Sequence, residues 1–204
     1  MIKALLSNTG IEILKLLASN LTKDFTILKI AQATGKTNRL TYLTVGKLEK
    51  DRIITVQPKA NLRLCRLNLK NPQIVSFIEA LRWRDFERRQ RSVSLLVSDI
   101  VSKSELPYFT LIIFGSYAKG TATKKSDVDL LLVTPDRMLQ GKFETAIKSA
   151  MALSNIPVHD VVVTYSEFAS MLGEKKINVA KEVLEARLIA YGAEAFYTIL
   201  ERLL

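Results

Sequence analysis

Apolar positions along the first 70 residues recur first at helical spacing and then in alternation. Ile11, Ile13, Leu14, Leu16 and Leu17 predict an amphipathic helix ending near Asn20. Ile27, Ile30 and Ala31 predict a second helix over Thr26–Ala33. Gly35 then suits a tight turn, because glycine takes a positive φ without a Cβ clash. Asn38 is a good N-cap for a third helix running to Asp51, with Leu40, Leu43, Val45 and Leu48 as its buried side. Ile53–Val56 reads as a strand, Pro58–Asn61 as a turn and Leu62–Leu67 as the returning strand.

After Asn71-Pro72 no Gly or Pro occurs until Pro107. Ile74, Phe77, Ile78 and Leu81, and later Leu95, Leu96, Ile100 and Val101, keep helical spacing around the charged segment RWRDFERRQR. They predict one long helix, or two end to end, spanning on the order of 45 Å at about 1.5 Å per residue. Beyond it, strands are expected at Leu111–Phe114, Val128–Val133 and Val158–Thr164. Helices are expected over Lys142–Leu153 and Glu167–Gly173, and over most of Asn178–Leu204 with a break at Gly192. The fold class is α+β. Residues 1–71 form a first domain, 72–107 a connecting helix, and 108–204 a second domain with a small mixed sheet flanked by helices.

Composition narrows the class. Hydrophobic residues make up 48% of 204, enough for a sizeable core, and the single Cys65 excludes an intrachain disulfide and a cysteine-rich zinc site. The opening MIKALLSNTGIEILKLLASN is interrupted by Lys3, Glu12 and Lys15, and no run approaches the roughly 20 apolar residues of a membrane span. A soluble cytoplasmic protein with no membrane partner is expected. The net charge of +10 is uneven. Residues 1–71 hold 13 Lys/Arg and 4 Asp/Glu (+9), and residues 72–204 hold 17 and 16 (+1). The first domain is the one expected to meet a polyanion.

Helix, helix, turn, helix, hairpin is the order of a winged helix-turn-helix, and Ile27–Ile54 resembles that of archaeal and bacterial transcription regulators. Thr37, Asn38, Arg39, Thr41 and Tyr42, around the start of the third helix, are candidate DNA contacts in the major groove. Lys59 and Arg63 in the wing are candidates for phosphates. A long connecting helix also suits a homodimer.

The chemistry concentrates in TLIIFGSYAKGTATKKSDVDLLLVT, residues 110–134. A buried strand ends at Phe114, Gly115 permits a sharp turn, and Ser116 opens a short helix through Lys119. Helix N-termini offer N–H groups to phosphate. Gly115, Ser116 and Lys119 are therefore candidate nucleotide contacts. Asp127 and Asp129 share one face of the next strand, where two carboxylates call for a hard cation such as Mg²⁺. Asp160, in an apolar strand, is the candidate third carboxylate of a two-metal centre. Beside it stands His159, the only histidine, read as structural or exposed, and Glu167 is read as a first-turn helix acid.

This set resembles the DNA polymerase β-like nucleotidyltransferases, particularly the minimal, single-domain members. Gly115-Ser116, Asp127-x-Asp129 and Asp160 match the family pattern. The resemblance implies transfer of a nucleoside monophosphate from a nucleoside triphosphate, ATP first among them. Asp127, Asp129 and Asp160 would be catalytic and would hold two Mg²⁺ ions. It leaves the acceptor open, a partner protein in an antitoxin-like role included. The alternative is a DNA-binding regulator whose nucleotidyltransferase-like domain senses nucleotides without turnover.

Overall fold

The computed structural model describes residues 7–106 and 108–203. The chain divides into two compact units, the second beginning at Glu79.

In the first unit, α1 (Asn8–Ser19) buries Ile13, Leu14, Leu17 and Ala18, and the Ser7 hydroxyl accepts from Gly10 N–H at 3.0 Å to cap it. A short strand β1 (Phe25–Thr26) leads into α2 (Ile27–Thr34), which ends on Gly35 at φ 65°. Then come α3 (Asn38–Lys50), β2 (Ile54–Lys59) and β3 (Leu62–Leu67). The three strands pair antiparallel in the order β1-β3-β2, with Cys65 of β3 opposite both Phe25 and Val56. This is the topology of a winged helix-turn-helix. Burial pushes the Cys65 thiol up to about 11, so it is an inert core residue.

Two details of α3 differ from the sequence expectation. Thr37, not Asn38, is the N-cap, its hydroxyl accepting from Leu40 N–H at 3.3 Å. The buried stripe is Thr41, Thr44, Val45 and Leu48, while Leu40 and Leu43 are 44% and 52% exposed. Both stripes share Val45 and Leu48. The threonines win because their hydroxyls donate to the carbonyls four residues back, Thr37 at 3.0 Å and Leu40 at 2.8 Å, which satisfies them inside.

The helical segment after Pro72 is two helices, α4 (Pro72–Arg89) and α5 (Arg91–Ser104), broken at Gln90. The boundary between the units falls inside α4, between Ile78 and Glu79, so most of the segment over 72–107 groups with the second unit. Phe86, Val93, Leu96, Val97 and Ile100 belong to the core of the second unit.

That core lies on one face of a mixed sheet of order β6-β5-β4-β7, made of β4 (Thr110–Ile113), β5 (Val128–Thr134), β6 (Val158–Thr164) and β7 (Leu188–Tyr191). Here α5 and α7 (Gln140–Met151) cover Leu111, Ile113, Val128, Leu130 and Leu132. A short helix, α6 (Gly115–Lys119), links β4 to β5. The remaining helices are α8 (Tyr165–Gly173), α9 (Val179–Glu185) and α10 (Ala193–Glu201), of which α8 packs on β5 and β6 and α10 on β4. Strand β7 lies where the sequence suggested mostly helix. Its four residues are too few to show alternation, and its pairing with β4 is a long-range contact.

A buried polar knot closes the second unit. The Glu79 carboxylate, 2% exposed, accepts from Arg82 at 2.7 Å through both oxygens and from the Tyr197 hydroxyl at 2.5 Å. Burial raises the Tyr197 hydroxyl far above its ordinary value, which keeps it a donor. Arg187, 1% exposed, donates to the Leu184 carbonyl at 3.2 Å and stacks over Phe196 and Tyr197. Among the described residues, no helix is long and apolar enough to cross a membrane.

Candidate functional site

The site is built where β4 turns into α6 beside β5. Gly115 has φ 63°, a conformation that side chains with a Cβ rarely adopt. A Cβ at this position would stand 2.0 Å from Oδ2 of Asp129, so the glycine turn and the carboxylate occupy adjoining space. The Phe114 N–H donates to the Asp129 carbonyl at 3.0 Å, which ties the two strands together at that point. No side chain caps the first turn of α6, and Gly120 closes the helix at φ 73°. Ser116 is half-buried and Lys119 exposed.

The loop Thr121–Ser126 is internally bonded. Thr123 N–H donates to the Ser126 hydroxyl at 2.9 Å, and Ser126 N–H to the Thr123 carbonyl at 3.1 Å. It delivers Asp127, exposed, to the edge of β5, and Asp129 follows on the strand with its side chain 27% exposed. Both carboxylates stand beyond the apolar run Leu130–Val133, which is buried throughout.

Strand register decides the third position. β5 and β6 are parallel, with Asp129 opposite His159 and Leu130 opposite Asp160. His159 Nδ1 lies 3.3 Å from Asp129 Oδ1, so these two share a face. Asp160 points to the other face, between Val158 and Val162, which pack against the core under α5 and α7. The structure thus brings Asp129 beside His159, while Asp160, the expected third carboxylate, lies one register position on, opposite Leu130. A one-residue difference in pairing register inverts such an assignment, and register is not written in a single strand's sequence. Among the described residues no group of three or more His, Cys, Asp or Glu is arranged to hold a metal ion.

Glu167 is engaged elsewhere. Its carboxylate accepts from Arg137 at 2.5 Å and from Thr164 N–H at 2.8 Å in a capping box for α8. These donors, Arg137 first, lower its carboxyl to about 2.

On the winged helix, Thr37, Asn38, Arg39, Tyr42 and Lys59 are exposed. Arg63 pairs with Glu49 at 2.5 Å and lies over the Tyr42 ring at 5.7 Å. Thr41 is fully buried, so its place among the candidate DNA contacts is corrected. Leu40 and Leu43, expected on the buried side of α3, stand on its outer face, and the spacing of Thr41, Thr44, Val45 and Leu48 marks the inner one.

Comparison with known proteins places the second unit. Residues 96–187, just under half of the chain, match the family model of the nucleotidyltransferase domain. This segment is similar to the nucleotidyltransferase domain. The matched segment begins inside α5 and ends just before β7, and it contains Gly115, Asp127, Asp129 and His159. A solved structure titled a predicted DNA-binding transcriptional regulator from E. coli is 20% identical, over 40% of this chain and 81% of that one, with a TM-score of 0.35. That score is too low to assign a shared fold, and the winged-helix description rests on strand and helix order. No curated protein matches the chain significantly.

Proposed function

We propose that the nucleotidyltransferase domain binds a nucleoside triphosphate, ATP in the first instance, between the Gly115–Lys119 turn and the Asp127/Asp129 carboxylates, and transfers its nucleotidyl group to an acceptor. The observation that carries this reading is the closeness of Gly115 to Asp129, where a Cβ would be 2.0 Å from the carboxylate oxygen. Only a turn without a side chain lets the acid lie directly against the backbone of the phosphate-binding turn.

The donor set suits Mg²⁺, which binds through one or two carboxylates and substrate phosphates while keeping several waters. Asp127 and Asp129 would hold it, and it would neutralise charge on the triphosphate. The α6 backbone N–H groups and the Ser116 hydroxyl orient the phosphates, and Lys119 adds a cation at the rim. Catalysis is then positioning and charge neutralisation.

One observation favours a second reading. His159, not a carboxylate, stands beside Asp129, so the residues for activating an acceptor hydroxyl are incomplete. Nucleotide would then be bound without turnover, and the domain would act as a sensor.

In either case the winged helix carries the protein to DNA. Three of the unit's four acids, Glu12, Asp24 and Glu49, pair with Lys36, Arg66 and Arg63, while Arg39, Lys47, Lys50 and Lys59 make no ion pair among the described residues. The acceptor is a hydroxyl on nucleic acid or on a partner protein, the latter being the antitoxin-like case.

Incubating the full chain with α-labelled ATP, Mg²⁺ and cell lysate tests turnover. Label on a macromolecule that is lost in Asp129→Ala supports transfer. ATP binding with no label in any fraction selects the sensor reading, and absence of binding overturns both.

A further inference from the structure

Gly46 sits in the interior of α3, where glycine is less favourable than alanine. Nothing in the fold demands it. Its φ is not positive, and a Cβ there would meet no atom within 4 Å. Helical geometry turns it away from the buried stripe Thr41, Thr44, Val45 and Leu48, onto a face with Arg39, Leu43 and Lys50. Leu40 and Lys47 flank that face. Single exposed leucines are ordinary. Here two of them, 44% and 52% exposed, adjoin an unforced helix glycine and are bracketed by cations.

We infer that this face of α3 reads thymine: it lies in the DNA major groove with Leu43 and Leu40 against thymine C5 methyl groups and Gly46 at the closest approach. The inference rests on the DNA-binding reading above and specifies its chemistry. The thymine methyl is the one apolar group on the major-groove base edges, and it is the partner a leucine can discriminate. Arg39, Lys47 and Lys50 are placed for the phosphates on either side, in a unit of net charge +9. A missing Cβ at Gly46 lets the helix backbone come nearer the base edges, which accounts for a residue that costs the helix stability. A protein partner on this face would need acidic groups to answer those cations.

The test selects duplexes from a randomised 30-base-pair pool with the full chain, then remakes the enriched duplex with deoxyuridine for thymidine. Each methyl removed from a contacted position is expected to weaken binding about fourfold. Leu43→Ala should weaken binding to the thymine duplex and shrink its advantage over the uracil duplex. Gly46→Ala should bind DNA more weakly while unfolding at a higher temperature, a pairing of effects that a purely structural glycine does not give. Enrichment with equal affinity for both duplexes overturns this inference and leaves DNA binding standing. No enriched duplex overturns both, as does a dimer that Leu43→Ala dissociates while no duplex binds.

Discussion

The two units handle charge in opposite ways. The winged helix carries +9 and keeps its ion pairs at the surface: Arg63 and Glu49 are 37% and 38% exposed. The second unit is nearly neutral and takes charge inside, with Glu79 and Arg187 almost wholly buried. It also sets one carboxylate, Asp129, against a glycine turn and a histidine. A surface of unneutralised cations is suited to a long polyanion bound by many weak contacts. Buried, partnered charge is suited to holding a few groups in one geometry. The difference fits the proposed division of labour, with the first unit as the addressing module and the second as the site of chemistry.

Removing one acid from each unit is the strongest way to break that contrast. Glu79→Ala leaves Arg82 and the Tyr197 hydroxyl without their buried carboxylate and is expected to cost about 3–5 kcal/mol in denaturant unfolding of the second unit. Glu49→Ala removes a half-exposed pair and should cost about 1 kcal/mol or less. Equal costs would erase the distinction.

Glycines sharpen it next. Gly115→Ala meets both a positive φ and the Asp129 carboxylate, and should destabilise by about 2 kcal/mol or more and abolish nucleotide binding. Gly46→Ala has neither obstacle and should stabilise by about 0.5–1 kcal/mol. Thermal unfolding of both variants beside the parent reads the opposite signs.

A smaller effect lies in acid. The Glu167 carboxyl is about 2 when folded against an ordinary 4.5, through its bonds from Arg137 and Thr164. Because the folded value is the lower one, its contribution is complete above about pH 4.5 and is lost as pH falls towards 2. Glu167→Gln should flatten that part of the stability profile of the second unit, modestly, since the group is solvent-screened. Smallest is the response of DNA affinity to salt. Arg39→Ala should reduce the salt slope by about one unit if that residue meets a phosphate.

Much of this was legible in the chain. The shift from helical to alternating spacing located the winged-helix elements, and Gly115-Ser116 with Asp127-x-Asp129 located the turn and the strand that face each other. Three features were not. The stripe of α3 was misassigned because leucine outranks threonine on any hydrophobicity scale, whereas the threonine hydroxyls are satisfied by carbonyls one turn back. β7 was read as helix because its strand character depends on β4, some 75 residues earlier. The pairing register of β6 with β5, which makes His159 the neighbour of Asp129, is a tertiary property that neither strand's sequence carries.

The central claim is that the Gly115 turn and Asp129 form one site for a metal-bound triphosphate. Calorimetric titration of the full chain with ATP, in Mg²⁺ and again in EDTA, tests it most directly when repeated on Asp129→Asn. The account predicts saturable binding that needs Mg²⁺ and falls at least about tenfold, some 1.4 kcal/mol, in the folded variant. Binding of equal strength in Asp129→Asn, or binding indifferent to EDTA, would contradict it.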